Sequence, residues 1–408
     1  LSPHSESFGP ERWWKFSRLA GGRVLLRPFL KLASWLGFLK LKSFKMLKSL
    51  HITNFRGFRD LKIDSLKRVN LLTGHNNTGK TGVLEALVLL LSDPESGQRQ
   101  LLPNLFRPVG GDYNENFWKW LIYNKSAAIN LQIKASFDDR NDFAVILHPK
   151  RHAPIDFDVS IFHASEDVGG FDCFCGSFGE AQRILGQVQR INFKPAVFST
   201  KPSDPVQDAI DFNRVILIRR KKQVEKMLRQ IEPRLLTIEA LQIRQPGQSS
   251  TTTTTTVPPV GSGVPALQTS QPGQQSTPLI YAEISGLSEM IPVTQLGQGF
   301  NRLLDIYSEI VATDAKVLLI DEIENGLHYS VLPLVWKGLF LAAQEFDVQI
   351  FATTHSWECI LKADEAARER ENYELELIRL DRVNEDVKAT IIDQGALATA
   401  KELKWEMR

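Results

Sequence analysis

The run Gly74-His75-Asn76-Asn77-Thr78-Gly79-Lys80-Thr81 leaves this chain few folds to choose from. It follows an apolar stretch with Val69, Leu71 and Leu72, and it opens a segment with helical apolar spacing through Val83, Leu84, Ala86, Leu87, Leu90 and Leu91. Strand, glycine-rich turn and helix together form a phosphate-binding loop. Glycines let the backbone curl round phosphate oxygens, and amide groups at the helix start supply positive field. In this reading Gly74 and Gly79 permit the curl and Asn76, Asn77 and Thr78 line it. Lys80 reaches the β and γ phosphates, and Thr81 holds a magnesium ion.

Such a loop needs a strand that delivers carboxylates to the metal and to water. Lys316-Val317-Leu318-Leu319-Ile320-Asp321-Glu322 is an apolar, buried-type strand ending in two acids. Asp321 is expected to hold magnesium through water, and Glu322 to polarise the attacking water. The plainer alternative is an acidic pair that caps a helix. The two motifs stand far apart, with an inserted sheet, a long helix and a linker expected between them. Small-molecule kinases and small GTPases use far less chain, whereas ATP-binding-cassette heads carry such insertions.

Two more segments point the same way. Gln295-Leu296-Gly297-Gln298-Gly299 precedes a helix and resembles, loosely, the signature loop of cassette ATPases, where Gly297 and Gly299 would reach the nucleotide of the opposite protomer. Read alone, it is a glycine turn. Phe351-Ala352-Thr353-Thr354-His355-Ser356 ends a strand with His355, in the position of a switch histidine that contacts the γ-phosphate. Adding Ile52-Thr53-Asn54-Phe55-Arg56-Gly57-Phe58 and Ile320-Asp321-Glu322-Ile323-Glu324-Asn325-Gly326-Leu327-His328, the chain resembles the AAA-family ATPases of the RecF/OLD/SMC type from Met46 to Arg408.

The resemblance implies an α/β P-loop NTPase fold of ATP-binding-cassette type, a mixed sheet with helices plus an antiparallel β insertion. It also implies ATP and Mg2+ as ligands, hydrolysis between two heads, and a role in DNA repair or in plasmid or phage defence. By the same route Arg56 would lie near the nucleotide phosphates. Two departures stand out: residues 204–243 show no sustained heptads for a coiled-coil arm, and no metal-binding nuclease domain is expected after His355. A Q-loop glutamine is not assigned, Gln132 being one candidate among several.

Organisation follows from composition. Residues 1–45 are strongly basic, with only Glu6 and Glu11 as acids, and are expected to be an unstructured extension or a misplaced start; a targeting peptide or surface helix is the other reading. Residues 46–244 are expected to form the N-terminal half of the head, and 279–408 the C-terminal half. The segment 245–278, with threonines at 251–256, reads as a flexible loop between paired strands. One helix is expected over 204–231, carrying Arg219-Arg220-Lys221-Lys222; that cluster suits either a DNA backbone or a solvated face paired with Glu225 and Glu232. Asp364, Glu365, Glu369 and Glu371 read as a solvated helix face. Three cysteines among 408 residues argue against a disulfide framework and for a reducing compartment.

The expected protein is a cytoplasmic ATPase that forms an ATP-dependent homodimer, with DNA or an effector such as a neighbouring nuclease as partner and no membrane attachment. A nucleotide-gated sensor with little turnover is the second reading, and a transporter ATPase subunit the third.

Overall fold

The computed structural model describes residues 46–91, 121–125, 129–137, 142–149, 157–164, 171–177, 195–198, 205–242 and 278–403. The basic stretch 1–45 and the low-complexity run up to residue 277 lie outside them.

The chain opens with strands β1 (Leu47–Phe55), β2 (Phe58–Ile63) and β3 (Val69–Thr73), then helix α1 (Lys80–Leu91). There follow β4 (Leu131–Phe137), β5 (Asp142–Pro149), β6 (Phe157–Ala164), β7 (Phe171–Ser177), β8 (Pro195–Phe198), α2 (Pro205–Leu217), α3 (Lys221–Arg229) and β9 (Leu235–Gln242). Beyond residue 277 come β10 (Pro278–Ile284), β11 (Ile291–Pro292), α4 (Gln298–Thr313), β12 (Val317–Ile320) and α5 (Leu332–Glu345). The last elements are β13 (Gln349–Thr353), α6 (Trp357–Arg368), β14 (Leu375–Val383), β15 (Asp386–Ile392) and α7 (Gln394–Glu402).

One sheet has the order β15-β14-β3-β13-β12-β8. Its strands β14, β3, β13, β12 and β8 run parallel, and β15 returns antiparallel along β14. Every residue of β3, β12 and β13 is buried, as expected of parallel strands covered on both faces. The pleat sorts their side chains into two cores. Val69, Leu71, Leu318 and Ile320 face the core built with α4, α5 and α6, whereas Leu72, Val317 and Leu319 face the one built with α1, β1 and β2. This is a mixed α/β architecture with a parallel core, the arrangement expected of a P-loop NTPase.

The antiparallel strands inserted after α1 join an existing sheet. β4 to β7 extend the sheet begun by β1 and β2, in the order β2-β1-β4-β5-β6-β7, with Ile52 paired to Ile133 and Leu61. A third sheet, β11-β10-β9, joins the strands either side of the low-complexity run, and Gln242 pairs with Pro278 where the ladder opens into it. Strands β7, β8 and β11 were not anticipated from sequence.

The single helix expected over 204–231 is two helices. In one continuous helix Val215 and Val224 would point about 180° apart at 3.6 residues per turn. The chain instead turns at Arg219, with φ 60°, and both valines reach the same core. Of the pairing expected for the basic cluster, the Glu225 half is present and the Glu232 half is not. Lys221 pairs with Glu239 and stands 3.6 Å from Glu225, Arg220 reaches Asp314 at 3.5 Å, and Glu232 serves Arg234 instead. Asp364 is not solvated but buried, where it accepts from Arg368 at 2.8 Å and Tyr373 at 2.9 Å. Among the described residues no helix is long and apolar enough to cross a membrane.

Candidate functional site

Sheet topology removes the 240-residue separation between Thr81 and Asp321. β13 lies between β3 and β12, so the strand carrying the phosphate-type loop, the strand leading to His355 and the strand leading to Asp321 end side by side. Thr353 stands in register with Leu72, and Ile320 with Ala352. Their carboxyl ends form the edge at which parallel sheets hold ligands.

The loop after β3 is shaped by two glycines. Gly74 has φ 135°, and a Cβ there would stand 2.2 Å from the carbonyl oxygen of Leu380. Gly79 has φ 94°, and a Cβ there would meet the Phe58 ring at 2.6 Å. Both positions exclude any side chain. Between them Thr78 donates its hydroxyl to the carbonyl of His75 at 2.9 Å, closing the turn. Helix α1 then starts at Lys80 with its first amide groups lacking partners inside the helix.

A cavity of about 560 Å³ opens over this loop, lined by Asn76, Asn77, Thr78, Gly79, Lys80 and Thr81 on one side. Asp321, Glu322, Thr353 and His355 line it from the neighbouring strand ends, and Arg56 from the β1–β2 turn. Lys80 Nζ donates to the carbonyls of Gly74 at 2.8 Å and His75 at 3.0 Å. Burial pulls its ammonium below the ordinary lysine value, opposed by Asp321, Glu324 and Glu322. Thr81 Oγ1 donates to both oxygens of Asp321, at 3.1 and 3.0 Å. Glu322 has φ 46°, a left-handed conformation that non-glycine residues adopt rarely and at a cost of about 1–3 kcal/mol.

These residues fit a nucleoside triphosphate and a hard divalent cation. The glycine cradle is open only because no Cβ fills it, and Lys80 is engaged by carbonyls that phosphate oxygens can replace. Thr81 hydroxyl and Asp321 carboxylate are hard oxygen donors held in contact. No cluster of three or more His, Cys, Asp or Glu able to hold a metal occurs among the described residues. A cation held by Thr81 and Asp321 would take further ligands from phosphate and water.

Several residues of the site were not singled out from sequence. Arg382, on β14, lines the cavity and donates from Nη2 to the Asn77 carbonyl at 3.4 Å. No motif marks it; only the β14–β15 hairpin brings it over the loop. Glu85 also lines the cavity and is buried in α1, with Arg56 Nε 2.6 Å from its Oε2. The sequence signal was a lone acid in an otherwise apolar helix. Glu324 accepts the His355 backbone N–H at 2.9 Å.

Gly297 and Gly299 are not among the lining residues. They sit at the start of α4, Gly297 exposed with φ 94° and open space around it. A Cβ at Gly299 would stand 2.2 Å from Val331 Cγ1, so α4 packs tightly on the segment following Asp321 and Glu322. Gln132 lies within β4, opposite Thr53 and Ile146, and does not line the cavity.

Sequence comparison finds two family profiles on this chain. "AAA ATPase domain" matches residues 46–164, and "AAA domain, putative AbiEii toxin, Type IV TA system" matches 178–359. An "ATP/GTP phosphatase" of Helicobacter pylori is 22% identical over 350 residues, covering 80% of this chain and 90% of that protein. A "DNA replication and repair protein RecF" of Clostridium acetobutylicum is 46% identical over 41 residues, 10% of this chain and 11% of that protein. Among solved structures, an SMC head domain with an extended coiled coil, bound to the C-terminal domain of ScpA from Pyrococcus furiosus, aligns at TM-score 0.47 and 11% identity. That alignment covers 88% of this chain and all of the other.

Proposed function

We propose that this chain, which carries AAA ATPase profiles over both halves, closes face to face with a second copy on two ATP molecules and hydrolyses them. One observation carries this reading. A single cavity collects Lys80, Thr81, Asp321, Glu322 and His355, while the start of α4 lies outside its lining, with Gly297 exposed and Gly299 buried against Val331.

In this mechanism the loop amides of Asn76 to Thr81 receive the phosphates, and Lys80 exchanges its carbonyl partners for β and γ oxygens. Thr81 and Asp321 would hold Mg2+, which would offset phosphate charge and polarise the γ-phosphate. Glu322 orients a water and takes its proton as the water oxygen attacks the γ-phosphorus; the bond to the bridging oxygen breaks and ADP leaves with that oxygen. His355 contacts the γ-phosphate, and Arg56 lies beside the phosphate chain. Gly297 and Gly299 present the amide groups at the start of α4 to the partner's nucleotide. ATP binding closes the pair, hydrolysis opens it, and the change passes to DNA or to an effector protein.

The test uses two variants. K80A should abolish turnover, and E322Q should accumulate an ATP-bound dimer seen by light scattering after size exclusion. Unchanged turnover in K80A sinks the site assignment, and an E322Q protein that stays monomeric in saturating ATP sinks the dimer. Turnover measured with and without DNA decides whether DNA is coupled to the cycle.

A further inference from the structure

Asp321, Glu322 and Glu324 leave β12 together, yet only the first two line the cavity. The Glu324 side chain is 12% exposed and turns toward the strand end that carries His355. Its Oε1 accepts the His355 backbone N–H at 2.9 Å and stands 3.1 Å from Nδ1 of the same ring. Its Oε2 is buried without a hydrogen-bond partner. A second link runs in parallel, from the Ile323 N–H to the Thr353 carbonyl at 3.1 Å. The turn bearing Glu322 and the turn bearing His355 are therefore tied at two points.

A carboxylate oxygen offers only lone pairs, so a ring nitrogen 3.1 Å from it is favoured as N–H. With the hydrogen on Nδ1, the free ring nitrogen is Nε2. His355 lines the cavity, so Nε2 is the atom left for it. The partner of one imidazole nitrogen sets what the other can do.

We propose that Glu324 is the positioning residue of His355: through Oε1 it holds the backbone and the Nδ1 edge of the ring, so that Nε2 is presented to the γ-phosphate. This rests on the role given above to His355. Glu324 is not a second general base, because it does not line the cavity and its accessible oxygen is engaged. Its effect on turnover passes entirely through the ring it orients. The link also makes His355 follow the turn of Glu322, so the water-orienting acid and the phosphate-sensing ring move together.

The experiment reads the ring directly. In ¹⁵N-labelled, nucleotide-free protein at a pH where imidazole is neutral, the His355 ring nitrogens are assigned by difference against H355Q. Wild type should show Nδ1 protonated. E324Q, whose amide oxygen can keep both contacts, should retain that pattern. E324A should change to the Nε2–H form or to exchange between the two, and E324D, whose carboxylate is drawn back by one methylene, should do the same if E324A does not fold. In turnover assays E324A or E324D should lose about 10–100-fold in kcat, the usual cost of removing such a partner. E324Q should recover most of it, and E324A/H355A should be no slower than H355A. A ring-nitrogen pattern unchanged in E324A and E324D, or losses that multiply in the double variant, overturns the proposal. H355A turning over at the wild-type rate would instead remove the role of His355 in hydrolysis, while the ring-nitrogen pattern still decides the positioning claim.

Discussion

The hydroxyl of Thr353 donates to Asp321 Oδ1 at 2.6 Å and at the same time accepts the backbone N–H of Glu322 at 2.7 Å. One side chain at the end of β13 thereby fixes both the orientation of one acid and the backbone of the next. It also ties the strained left-handed turn at Glu322 to the neighbouring strand, a local cost that the surrounding structure holds in place.

Replacing Thr353 with valine keeps the volume and removes that hydroxyl. The Asp321 carboxylate loses a hydrogen-bond donor and the Glu322 amide loses its acceptor, each half-buried hydrogen bond contributing about 0.5–1.5 kcal/mol, more where the group is charged. T353V should lower kcat about 10–100-fold, whereas T353S should stay near wild type. Steady-state turnover of both variants checks this, and equal activity of T353V and wild type would show the contact to be dispensable.

Arg382 approaches the loop from β14, the strand beside β3, and donates a long bond, 3.4 Å, to the Asn77 carbonyl. That leaves most of its guanidinium available to an anionic ligand. R382A should weaken nucleotide binding by about tenfold, the scale of a hydrogen bond to a charged group, with kcat largely retained. Titration calorimetry with ATP, GTP and inorganic triphosphate separates a phosphate contact from a base contact: a loss shared by all three ligands marks phosphate.

Gly79 and Gly297 share a φ of 94° but not their surroundings. Alanine at either position carries the strain of that conformation, about 1–3 kcal/mol. At Gly79 it also drives a methyl group into the Phe58 ring at 2.6 Å, while at Gly297 it meets open space. G79A should therefore lower the urea midpoint clearly more than G297A and should abolish nucleotide binding by the monomer. Comparable midpoints for the two would mean that Phe58 gives way.

The α2–α4 contact makes stability depend on pH. Burial, reinforced by Asp208, raises the Asp305 carboxyl to about 8; Asp211 adds to the shift and Arg302 opposes it. Glu309, further along α4, is raised as well, by burial first and then by Asp211. Between about pH 4 and 8 the folded chain keeps the Asp305 proton while the unfolded chain releases it, so stability falls as pH rises, by up to about 1.4 kcal/mol per unit for one proton. Below pH 4 this contribution is fully present. D305N should flatten the slope and stabilise the protein at pH 8; urea unfolding of both proteins at several pH values measures it, and parallel slopes would place the linked proton elsewhere.

The geometry of the loop was legible in sequence because each of its requirements is local. Gly74 and Gly79 answer to backbone φ and close approach, Lys80 and Thr81 follow them at fixed spacing, and Val317 to Ile320 read as a strand buried on both faces. Local pattern likewise announced the acids at 321 and 322 and the histidine at 355. It could not announce Arg382, Glu85 or the partner of His355. Those depend on which strand lies beside which, and on a hairpin folding back over the loop from 305 residues away. It also misjudged 204–231, where helical propensity favoured one helix but two apolar faces had to reach one core. Sequence by itself therefore determined the glycine-bounded turn, the acidic strand end and the α/β class, all set by short-range spacing and steric limits. Tertiary structure alone decided which carboxylate faces the cavity, which one holds the histidine and which cation completes the rim, because those are contacts between chain segments that local pattern does not encode.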